Sequence, residues 1–362
     1  GGGGANGQAI RLIDNNRIAW TSDAISAQED TVGILVSGQP GFFVVRGNGN
    51  VGGGGSVQGN TGASAGIDTG AIFDWTGEDP TDTGNFVELH DMIFSANERA
   101  IVATNLNRLV LDNLTVQNTS TTGSLLLSNI VNLTIEDSRF TNNFGNVINS
   151  TVSINPVDTT FTYRFLRNQF VDGAGTNNSS MIRLDNIGAG AGATLDLVVS
   201  NNGAPTSGLT GFVSNRNNPN IANPNLVDES SAFAVRWNGP VTQALFERNS
   251  FALIGGAGQE GLEFVNADSS AHTNFTFREN TLTANEAADA IGVRLDLAGP
   301  ANVNILNNRL LNTPGQPFQG FIMNGLRAQA YQLALRNAGT TVRLEDNDIQ
   351  FFNDDAIGVN FP

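Results

Sequence analysis

The sequence predicts an all-β solenoid, a stack of parallel β-helix coils, and three observations support this prediction. First, eight stretches share one template: an apolar residue, any residue, an apolar residue, two polar residues, in most cases an Asn, any residue, and a final apolar residue. Second, the stretches recur roughly every 20 to 40 residues with one longer gap, which is the spacing of stacked repeats. Third, apolar and polar side chains alternate within each stretch, which favours strands over helices. The stretches begin at Val87, Leu109, Leu133, Tyr163, Ala244, Phe275, Val303 and Val342.

A second short strand is predicted roughly 14 to 20 residues after the start of each stretch, beyond a polar turn. These second strands are expected at residues 100–102, 125–127, 181–184, 261–264, 290–293, 321–322 and 356–359. Asn, Asp and Gly separate the strands, and these residues reach left-handed backbone conformations most easily. Two or three short strands per coil with such turns are typical of a parallel β-helix.

The rest of the chain is assigned to the same stack. Residues 43–48 are expected to form an upstream strand, and a Gly/Ser/Thr-rich segment at residues 47–84 predicts a long loop outside the stack. Residues 326–339 are predicted to be an insertion, either a short helix or one more strand. Weaker strands are expected to fill the long gap at residues 197–202, 212–213 and 233–235. Because the composition shows no break, we expect residues 1–362 to form one solenoid domain.

An Asn recurs at the sixth template position for two physical reasons. Asn tolerates the bend between strands, and side-chain amides stacked coil on coil can hydrogen-bond to one another in a ladder. The ladder is predicted at Asn168, Asn249, Asn280, Asn308 and Asn347. Phe and Tyr at template positions alternate in phase with the inward aliphatic residues, so we expect them in the core rather than on a sugar-binding surface.

The composition restricts the function. All 18 basic residues are Arg, and 34 acids give a formal net charge of -16. An acidic surface repels phosphate backbones and anionic lipids, so we expect neither nucleic acid nor a membrane surface as a partner. Divalent cations are the charged partners that such a surface favours. The chain has no Cys, and therefore no disulfide, thiolate chemistry or sulfur metal site.

The two ends of the sequence carry further expectations. It begins Gly-Gly-Gly-Gly-Ala-Asn, without a Met or a signal-like apolar region, and no run approaches the length of a membrane span. We therefore expect a piece of a longer protein, with no membrane insertion in this segment. No polar cap follows the last predicted strand, so we expect the stack to continue into further chain or into a neighbouring subunit.

The strongest local candidate for chemistry is the sequence Asn-Asp-Asp-Ala-Ile-Gly-Val at residues 353–359. It resembles the paired-aspartate strand of polygalacturonase-type glycoside hydrolases, and the resemblance implies catalytic roles for Asp354 and Asp355 alone. The remainder of that family's pattern is missing: no Gly-His-Gly follows, there is no Lys, and the histidines are His90 and His272, expected far apart in the stack. The match is therefore interpreted as structural.

A column of polar side chains is the second candidate. Counting two residues back from the apolar residue of successive second strands places Glu260, Asp289, Gln319 and Asp355 in register. Asp289 and Asp355 would then lie roughly 10 Å apart, near the separation at which inverting glycosidases hold a water. The carboxylates Glu260, Asp289 and Asp355 would also suit Ca²⁺. Solvated turn residues before a buried strand are the interpretation that we favour.

As a whole, residues 80–362 resemble the pectate-lyase-like superfamily of right-handed β-helices in their coil pattern and Asn placement. Within that superfamily, the chain is most similar to the non-catalytic passengers of autotransporters, adhesins and other bacterial surface proteins. The resemblance implies a right-handed single-stranded parallel β-helix and an extracellular or cell-surface location.

We therefore expect a structural or adhesive surface protein, one segment of a longer stalk, fibre or filament that assembles end to end. The alternative is a polysaccharide hydrolase or lyase that uses Asp289, Asp354 and Asp355. A carbohydrate-binding tail-spike module ranks third, because the sequence shows no clear outward column of aromatic residues.

Overall fold

The structure is a computed structural model and describes seventeen stretches of the chain. These are residues 10–13, 18–28, 34–37, 41–58, 71–76, 79–95, 98–120, 123–153, 159–172, 180–186, 193–203, 211–214, 231–254, 259–284, 291–312, 329–350 and 357–360. The described residues form 32 strands and no helix, so the predicted all-β class is confirmed. Within these stretches there is accordingly no apolar helix that could span a membrane.

The strands are short, apart from two long ones. The first eleven are β1 (Ile10–Ile13), β2 (Ile18–Ser22), β3 (Ala27–Gln28), β4 (Ile34–Ser37), β5 (Gly41–Val45), β6 (Gly55–Gln58), β7 (Ala71–Thr76), β8 (Phe86–His90), β9 (Met92–Ser95), β10 (Arg99–Asp112) and β11 (Thr115–Gln117). The next eleven are β12 (Leu125–Glu136), β13 (Arg139–Asn143), β14 (Ile148–Thr151), β15 (Thr160–Leu166), β16 (Gln169–Asp172), β17 (Ile182–Asp185), β18 (Thr194–Ser200), β19 (Phe212–Ser214), β20 (Ser231–Trp237), β21 (Val241–Glu247) and β22 (Ser250–Leu253). The last ten are β23 (Glu260–Asn266), β24 (Thr273–Arg278), β25 (Thr281–Ala284), β26 (Ile291–Leu297), β27 (Ala301–Leu306), β28 (Arg309–Asn312), β29 (Gln329–Leu335), β30 (Thr341–Glu345), β31 (Asp348–Gln350) and β32 (Ile357–Asn360).

The strands form a large sheet of 21 strands and a small sheet of 11 strands. Pairing is parallel and joins equivalent strands three places apart: β15 pairs with β18 and β18 with β21 in the large sheet, while β16 pairs with β19 in the small sheet. Three successive strands, such as β20, β21 and β22, therefore make one repeat. The first and second strands of each repeat lie in the large sheet and the third strand lies in the small sheet. This pattern confirms the predicted parallel repeats and is compatible with a β-helix.

The long strands β10 and β12 each serve as the first and second strand of one repeat. Both turn a corner at a single left-handed residue, Asn105 (φ 55°) in β10 and Asn129 (φ 54°) in β12. The Asn129 Nδ2 donates to the Asn105 Oδ1 at 2.9 Å, and the Ser153 backbone N–H donates to the Asn129 Oδ1 at 2.8 Å. Asn tolerates the left-handed conformation at low cost, and its amide links each corner to the next.

In nine of the eleven repeats, the turn between the second and third strands also contains one left-handed residue other than Gly. These residues are Asp91, Asn113, Asp137, Arg167, Asn201, Arg248, Glu279, Asn307 and Asp346. Each one precedes the sixth template position, so the expectation that the sixth-position Asn itself takes the bend is wrong. The backbone N–H of Arg248 donates to the carbonyl oxygen of Arg278 at 3.2 Å, and the backbone N–H of Glu279 donates to the carbonyl oxygen of Leu306 at 3.0 Å. Such bonds between repeats offset part of the roughly 1 kcal/mol that a left-handed residue other than Gly costs.

Ion pairs connect neighbouring repeats beside this turn, and Glu247 makes the most enclosed of them. Arg278 donates through Nη2 to the Glu247 Oε2 at 2.6 Å, and the Ser200 hydroxyl donates to Oε1 at 3.1 Å. Burial alone would raise the pKa of Glu247, but the hydrogen bonds from Arg278 and Ser200, with the charges of Arg278 and Arg248, outweigh burial and hold that pKa below its ordinary value.

The lowered pKa of Glu247 predicts a defined acid response. A carboxyl group with a depressed folded-state pKa stabilises the fold above its unfolded pKa of about 4.3, and this stabilisation is lost as the pH falls through the lower folded value. We expect Glu247→Gln to be less stable than the wild type at pH 7, and the difference to shrink on acidification. Urea titrations at several pH values measure this, and Arg278→Gln should reproduce the effect. If the free energies of unfolding of the wild type and Glu247→Gln changed in parallel with pH, the lowered pKa of Glu247 would be contradicted.

The core is a continuous column of inward side chains between the two sheets. In β15 the buried residues Phe161, Tyr163 and Phe165 alternate with outward ones. The small sheet contributes stacked rings: Phe212 lies 5.2 Å from Phe170 and 4.7 Å from Phe251 between ring centroids. The aromatic residues predicted at template positions are buried, which confirms their place in the core.

The predicted loop at residues 47–84 is corrected in two places. Residues 55–58 form β6, which pairs with β3 and β9, and residues 71–76 form β7, which pairs with β4 and β10. At β6, Gly-Ser-Val-Gln, pairing to strands on both sides overrides a weak strand propensity, whereas β7 contains Ile, Phe, Trp and Thr, which favour a strand by themselves. Gly55 has φ +102°, and a Cβ there would lie 1.9 Å from the Ile25 carbonyl oxygen, so glycine is required. Residues 59–70 lie outside the described residues.

Of the two alternatives predicted for residues 326–339, one more strand is confirmed. The described part of this segment contains β29, which pairs with β26 and β32 as a regular first strand. The helical alternative is therefore wrong, because the segment completes a repeat rather than interrupting the stack. Most of the strands that the sequence predicts as the second of each coil lie in the strands that begin the observed repeats, namely β10, β12, β17, β23, β26 and β32. Residues 321–322 lie outside the described residues.

Candidate functional site

Of the residues that the sequence proposes for catalysis or cation binding, the structure describes Glu260 alone. Asp289, Gln319, Asp354 and Asp355 lie outside the described residues. Glu260 pairs in register with Ile291 of the next repeat. The predicted alignment of Glu260 with Asp289 is therefore wrong by two residues.

The physical reason for the error is the strand period. The prediction aligns Leu262 with Ile291, whereas the structure pairs Leu262 with Val293 and Phe264 with Leu295. A shift of two residues leaves the inward and outward faces of a strand unchanged. The alternation of apolar and polar residues therefore could not distinguish the two registers.

Glu260 belongs instead to a group of three acids and three arginines, which we term the acid–arginine cluster. It lies on the first strands of four successive repeats. The members are Arg183 and Asp185 on β17, Arg236 on β20, Glu260 and Glu263 on β23, and Arg294 on β26. The four strands pair in parallel, so neighbouring members are brought about 4.8 Å apart along the stack.

Glu260 is held from both sides. Its side chain is buried, the hydroxyl of Ser231 donates to Oε2 at 3.1 Å, and the Arg294 Nη1 donates to Oε1 at 3.2 Å. Ser231 is its register partner in the preceding repeat. The strand pairing itself thus positions one of the two groups that hold this carboxylate.

Glu263 is fully buried although it points away from the core, since its neighbours Leu262 and Phe264 are the inward residues of β23. Its Oε2 lies 3.7 Å from the Arg236 Nη2, and its Oε1 lies 4.0 Å from the Arg294 Nη1. Arg294 therefore lies between the carboxylates of Glu260 and Glu263. A buried carboxylate costs several kcal/mol unless cations accompany it, and two guanidinium groups do so here.

Asp185 forms the other end of the cluster. It is 2% exposed, pairs through Oδ2 with the Arg183 Nε, and lies opposite Arg236 in register. Its Oδ1 is buried and has no hydrogen-bond partner among the described residues. One carboxylate oxygen of the cluster can therefore still accept a hydrogen bond.

The cluster contains equal numbers of positive and negative groups, so it offers guanidinium donors and carboxylate acceptors without a net charge. Groups of this kind suit neutral polar ligands whose hydroxyls both donate and accept. In the described part of the chain, no group of three or more His, Asp or Glu side chains is arranged to hold a metal ion.

Comparisons with known proteins name no relative. No family model matches the sequence, and neither a curated protein nor a solved structure matches it. The function is therefore inferred from the residues of the chain itself.

The Asn residues at the sixth template position lie in consecutive repeats from Asn249 to Asn347, and the side chains of Asn168, Asn249, Asn280 and Asn308 are buried. Asn249 donates to Asn280 at 3.0 Å, Asn280 to Asn308 at 3.1 Å, and Asn308 to Asn347 at 2.9 Å, in each case from Nδ2 to Oδ1. We term this chain of amides the Asn ladder.

Asn202 is a member of the Asn ladder that the template did not identify. Its Nδ2 donates to the Asn249 Oδ1 at 2.8 Å, and its Oδ1 accepts the backbone N–H of Asn168 at 2.8 Å. The sequence fits residues 197–202 to the template up to this Asn, although Asn202 is not among the predicted ladder residues. One repeat before Asn168, Ser138 occupies the equivalent position, and its backbone N–H donates to the Asn168 Oδ1 at 2.9 Å.

The two histidines lie in different repeats and have separate partners. The His90 Nδ1 lies 3.0 Å from the Asp112 Oδ2, and the His272 Nε2 lies 3.5 Å from the Asn302 Nδ2. They do not come together at a shared site.

The described structure contains one outward aromatic pair that the sequence analysis did not identify. Phe42 and Phe86 occupy outward positions of β5 and β8, with ring centroids 5.2 Å apart and planes 10° from parallel. The Arg108 guanidinium lies 4.4 Å above the Phe86 ring. The two residues are 44 positions apart in the sequence, and β5 lies before the first template stretch. The template therefore did not align them.

Proposed function

We propose that the chain is a right-handed parallel β-helix of the pectate-lyase-like type and serves as a structural or adhesive segment of an extracellular bacterial surface protein. The observation that carries this proposal is the continuity of contacts between repeats. Strand pairing, the Asn ladder and the stacked Phe rings each join equivalent residues of neighbouring repeats, so the same kinds of contact recur along the stack. Right-handed winding is favoured because parallel crossover connections are right-handed in almost all proteins.

Such a stack suits a mechanical role. The eleven third strands of the small sheet correspond to eleven repeats, which span about 50 Å at a strand spacing of about 4.8 Å. Hydrogen bonds between strands run along this axis, and the dry aliphatic and aromatic core fills the interior. We propose that units of this kind stack end to end into a stalk, fibre or filament that presents its lateral faces to other surfaces, carbohydrate among them.

Small-angle scattering and electron microscopy test this proposal. The purified chain should be a rod whose length exceeds its width, and electron micrographs of the native source should show stalks or filaments. Compact particles, together with a native source in which the protein is a free monomer, would contradict the structural role. Proteolysis of intact cells should release the protein, since the proposal places it outside the membrane.

A second candidate function is a saccharide-processing site at the acid–arginine cluster. The observation that favours it is the group of three carboxylates in the acid–arginine cluster. Arg294 lies 3.2 Å from Glu260 and 4.0 Å from Glu263, and Asp185, two strands away, has an Oδ1 without a hydrogen-bond partner among the described residues. Glycoside hydrolysis uses two carboxyl groups, one as general acid and one as base or nucleophile. This candidate replaces the predicted set of Asp289, Asp354 and Asp355 with residues that the structure describes.

A reducing-sugar assay separates the two functions. We expect no turnover of a panel of neutral and acidic polysaccharides, with or without Ca²⁺, if the protein is structural. Turnover that Glu263→Gln abolishes, and that the outward control Glu88→Gln retains, would establish the enzymatic function instead. Asp355→Asn belongs in the same assay, because loss of turnover in that variant alone would favour the residues proposed from the sequence. Circular dichroism must show that each variant is folded.

A further inference from the structure

Three Asn-Gly pairs lie in the described part of the chain, at residues 48–49, 202–203 and 238–239. An Asn before a Gly is prone to spontaneous deamidation, because no side chain hinders the attack of the glycine nitrogen on the Asn amide. Hydrogen bonds that hold either reacting group therefore protect the pair, and the three pairs differ in these bonds. Two further pairs, at 6–7 and 324–325, lie outside the described residues.

The pair at residues 48–49 is held at the attacking nitrogen. The backbone N–H of Gly49 donates to the Asp91 Oδ2 at 2.5 Å, and the same oxygen accepts the backbone N–H of Asn48 at 2.7 Å. The Asn48 Oδ1 in turn accepts the backbone N–H of Asn50 at 3.1 Å. Attack breaks a hydrogen bond to a charged carboxylate, which slows the step about tenfold or more.

The pair at residues 202–203 is held at the amide instead. Asn202 is fully buried in the Asn ladder. Its Nδ2 donates to the Phe165 carbonyl at 3.0 Å and to the Asn249 Oδ1 at 2.8 Å, and its Oδ1 accepts the backbone N–H of Asn168 at 2.8 Å. The amide therefore cannot rotate toward the following nitrogen without leaving several buried groups unpaired.

The pair at residues 238–239 has neither protection. Asn238 lies half-buried at the corner between β20 and β21. Among the described residues, neither its side-chain amide nor the backbone N–H of Gly239 has a hydrogen-bond partner. Glycine is required at this position, where φ is +153° and a Cβ would lie 2.5 Å from the Ala193 carbonyl oxygen. The fold thus fixes the residue that makes this Asn reactive.

We propose that Asn238 is a site of spontaneous deamidation in the folded protein. The Gly239 nitrogen attacks the Asn238 Cγ and forms a C–N bond. The bond from Cγ to Nδ2 breaks, and the amide leaves as ammonia with the proton of the peptide nitrogen. Water then opens the cyclic imide at either carbonyl and gives aspartate or isoaspartate. This inference concerns a covalent modification and goes beyond the structural role proposed above.

Isoaspartate alters the corner itself. The main chain then passes through the former side-chain carbon, which adds one atom between the two strands, and the former Asn238 carbonyl becomes part of a free carboxylate. In the unmodified chain, Asn186 donates from Nδ2 to that carbonyl at 3.1 Å. We expect faster hydrogen exchange at the backbone N–H of Leu195, which donates to the Pro240 carbonyl at 2.9 Å beside the altered corner.

Peptide mapping by mass spectrometry, after incubation of the folded chain in isotopically labelled water, tests the proposal. Label enters only where an imide is hydrolysed during the incubation. Asn238 should convert about tenfold faster than Asn48 and Asn202, or more. Its rate should rise with pH, because the peptide nitrogen must lose its proton to attack. In denaturant the three pairs should convert at similar rates, since the fold no longer protects any of them.

Two variants serve as controls. Asn238→Gln should abolish conversion at this position, because its longer side chain must close a larger and less favourable ring, and it should leave Asn48 and Asn202 unchanged. Asp91→Gly keeps the left-handed backbone at that residue, where φ is 57°, and should accelerate conversion of Asn48 by releasing the Gly49 nitrogen. If Asp91→Gly does not fold, the wild-type comparison decides alone. Conversion of Asn238 no faster than that of Asn48 and Asn202 in the folded chain would overturn the proposal.

Discussion

Replacing Asn280 by alanine is expected to lower the free energy of unfolding by about 3 to 5 kcal/mol, because several buried groups lose their partners at once. The Asn280 Oδ1 accepts the backbone N–H and the Nδ2 of Asn249 at 2.9 and 3.0 Å, and its Nδ2 donates to the Phe246 carbonyl at 2.9 Å and to Asn308 at 3.1 Å. Alanine can satisfy none of these groups, and water does not reach a position that is 1% exposed.

Urea unfolding followed by circular dichroism measures this loss, and hydrogen exchange locates it. Protection should fall first at the backbone N–H of Asn249, which loses its acceptor. Asn304→Ala provides a matched control, because Asn304 lies outward on β27 in the neighbouring repeat, and we expect a change below about 0.5 kcal/mol there. Equal losses in the two variants would show that the Asn ladder contributes no more than any surface amide.

Phe212→Ala is the second substitution with a large expected effect, about 3 to 5 kcal/mol, because it leaves a cavity in the middle of the core. The ring is fully buried and lies between Phe170 and Phe251, with Phe233 packed edge-on at 6.1 Å between centroids. Three neighbouring rings lose contacts together, and short strands on both sides limit how far the site can collapse.

Phe144→Ala is the control for this experiment, since its side chain is 55% exposed and buries little apolar area. Thermal and urea unfolding should separate the two variants clearly. Phe212→Leu should recover part of the lost stability because it refills part of the cavity. A Phe212→Ala protein as stable as Phe144→Ala would mean that the stacked rings are not a continuous core.

The sequence predicts the parallel repeats well because their causes are local. Alternation of apolar and polar residues defines strands such as β15, and the recurring Asn marks the position where Asn249 and Asn280 meet. The Ile, Phe and Trp of β7 also favour a strand locally, although the Gly-rich surroundings suggest a loop. The prediction fails for a different reason at β6, where pairing on both sides forms a strand from Gly-Ser-Val-Gln, a sequence of low strand propensity. Alternation can be read within a few residues, whereas the pairing of β6 depends on segments far apart in the chain.

The acid–arginine cluster could not be predicted for a related reason. A charged residue between apolar neighbours, such as Glu263 or Arg294, indicates an outward position in a strand and nothing about burial there. Alternation left the register free to shift by two residues, so Glu260 was aligned with the wrong position. A signal was nevertheless present for the strand face: Arg183, Arg236 and Arg294 are each flanked by apolar residues on both sides, which marks them as outward residues of first strands. Their positions in register differ, so the sequence spacing does not bring them together.

The stacked rings have a consequence for how the molecule assembles itself. A repeat that meets only the repeats before and after it can begin to fold wherever local contacts are strongest, and order then propagates outward in both directions. The rings of Phe170, Phe212, Phe233 and Phe251 concentrate such contacts in the middle of the chain. Nucleation is therefore expected there, with the outer repeats added to a template that already exists.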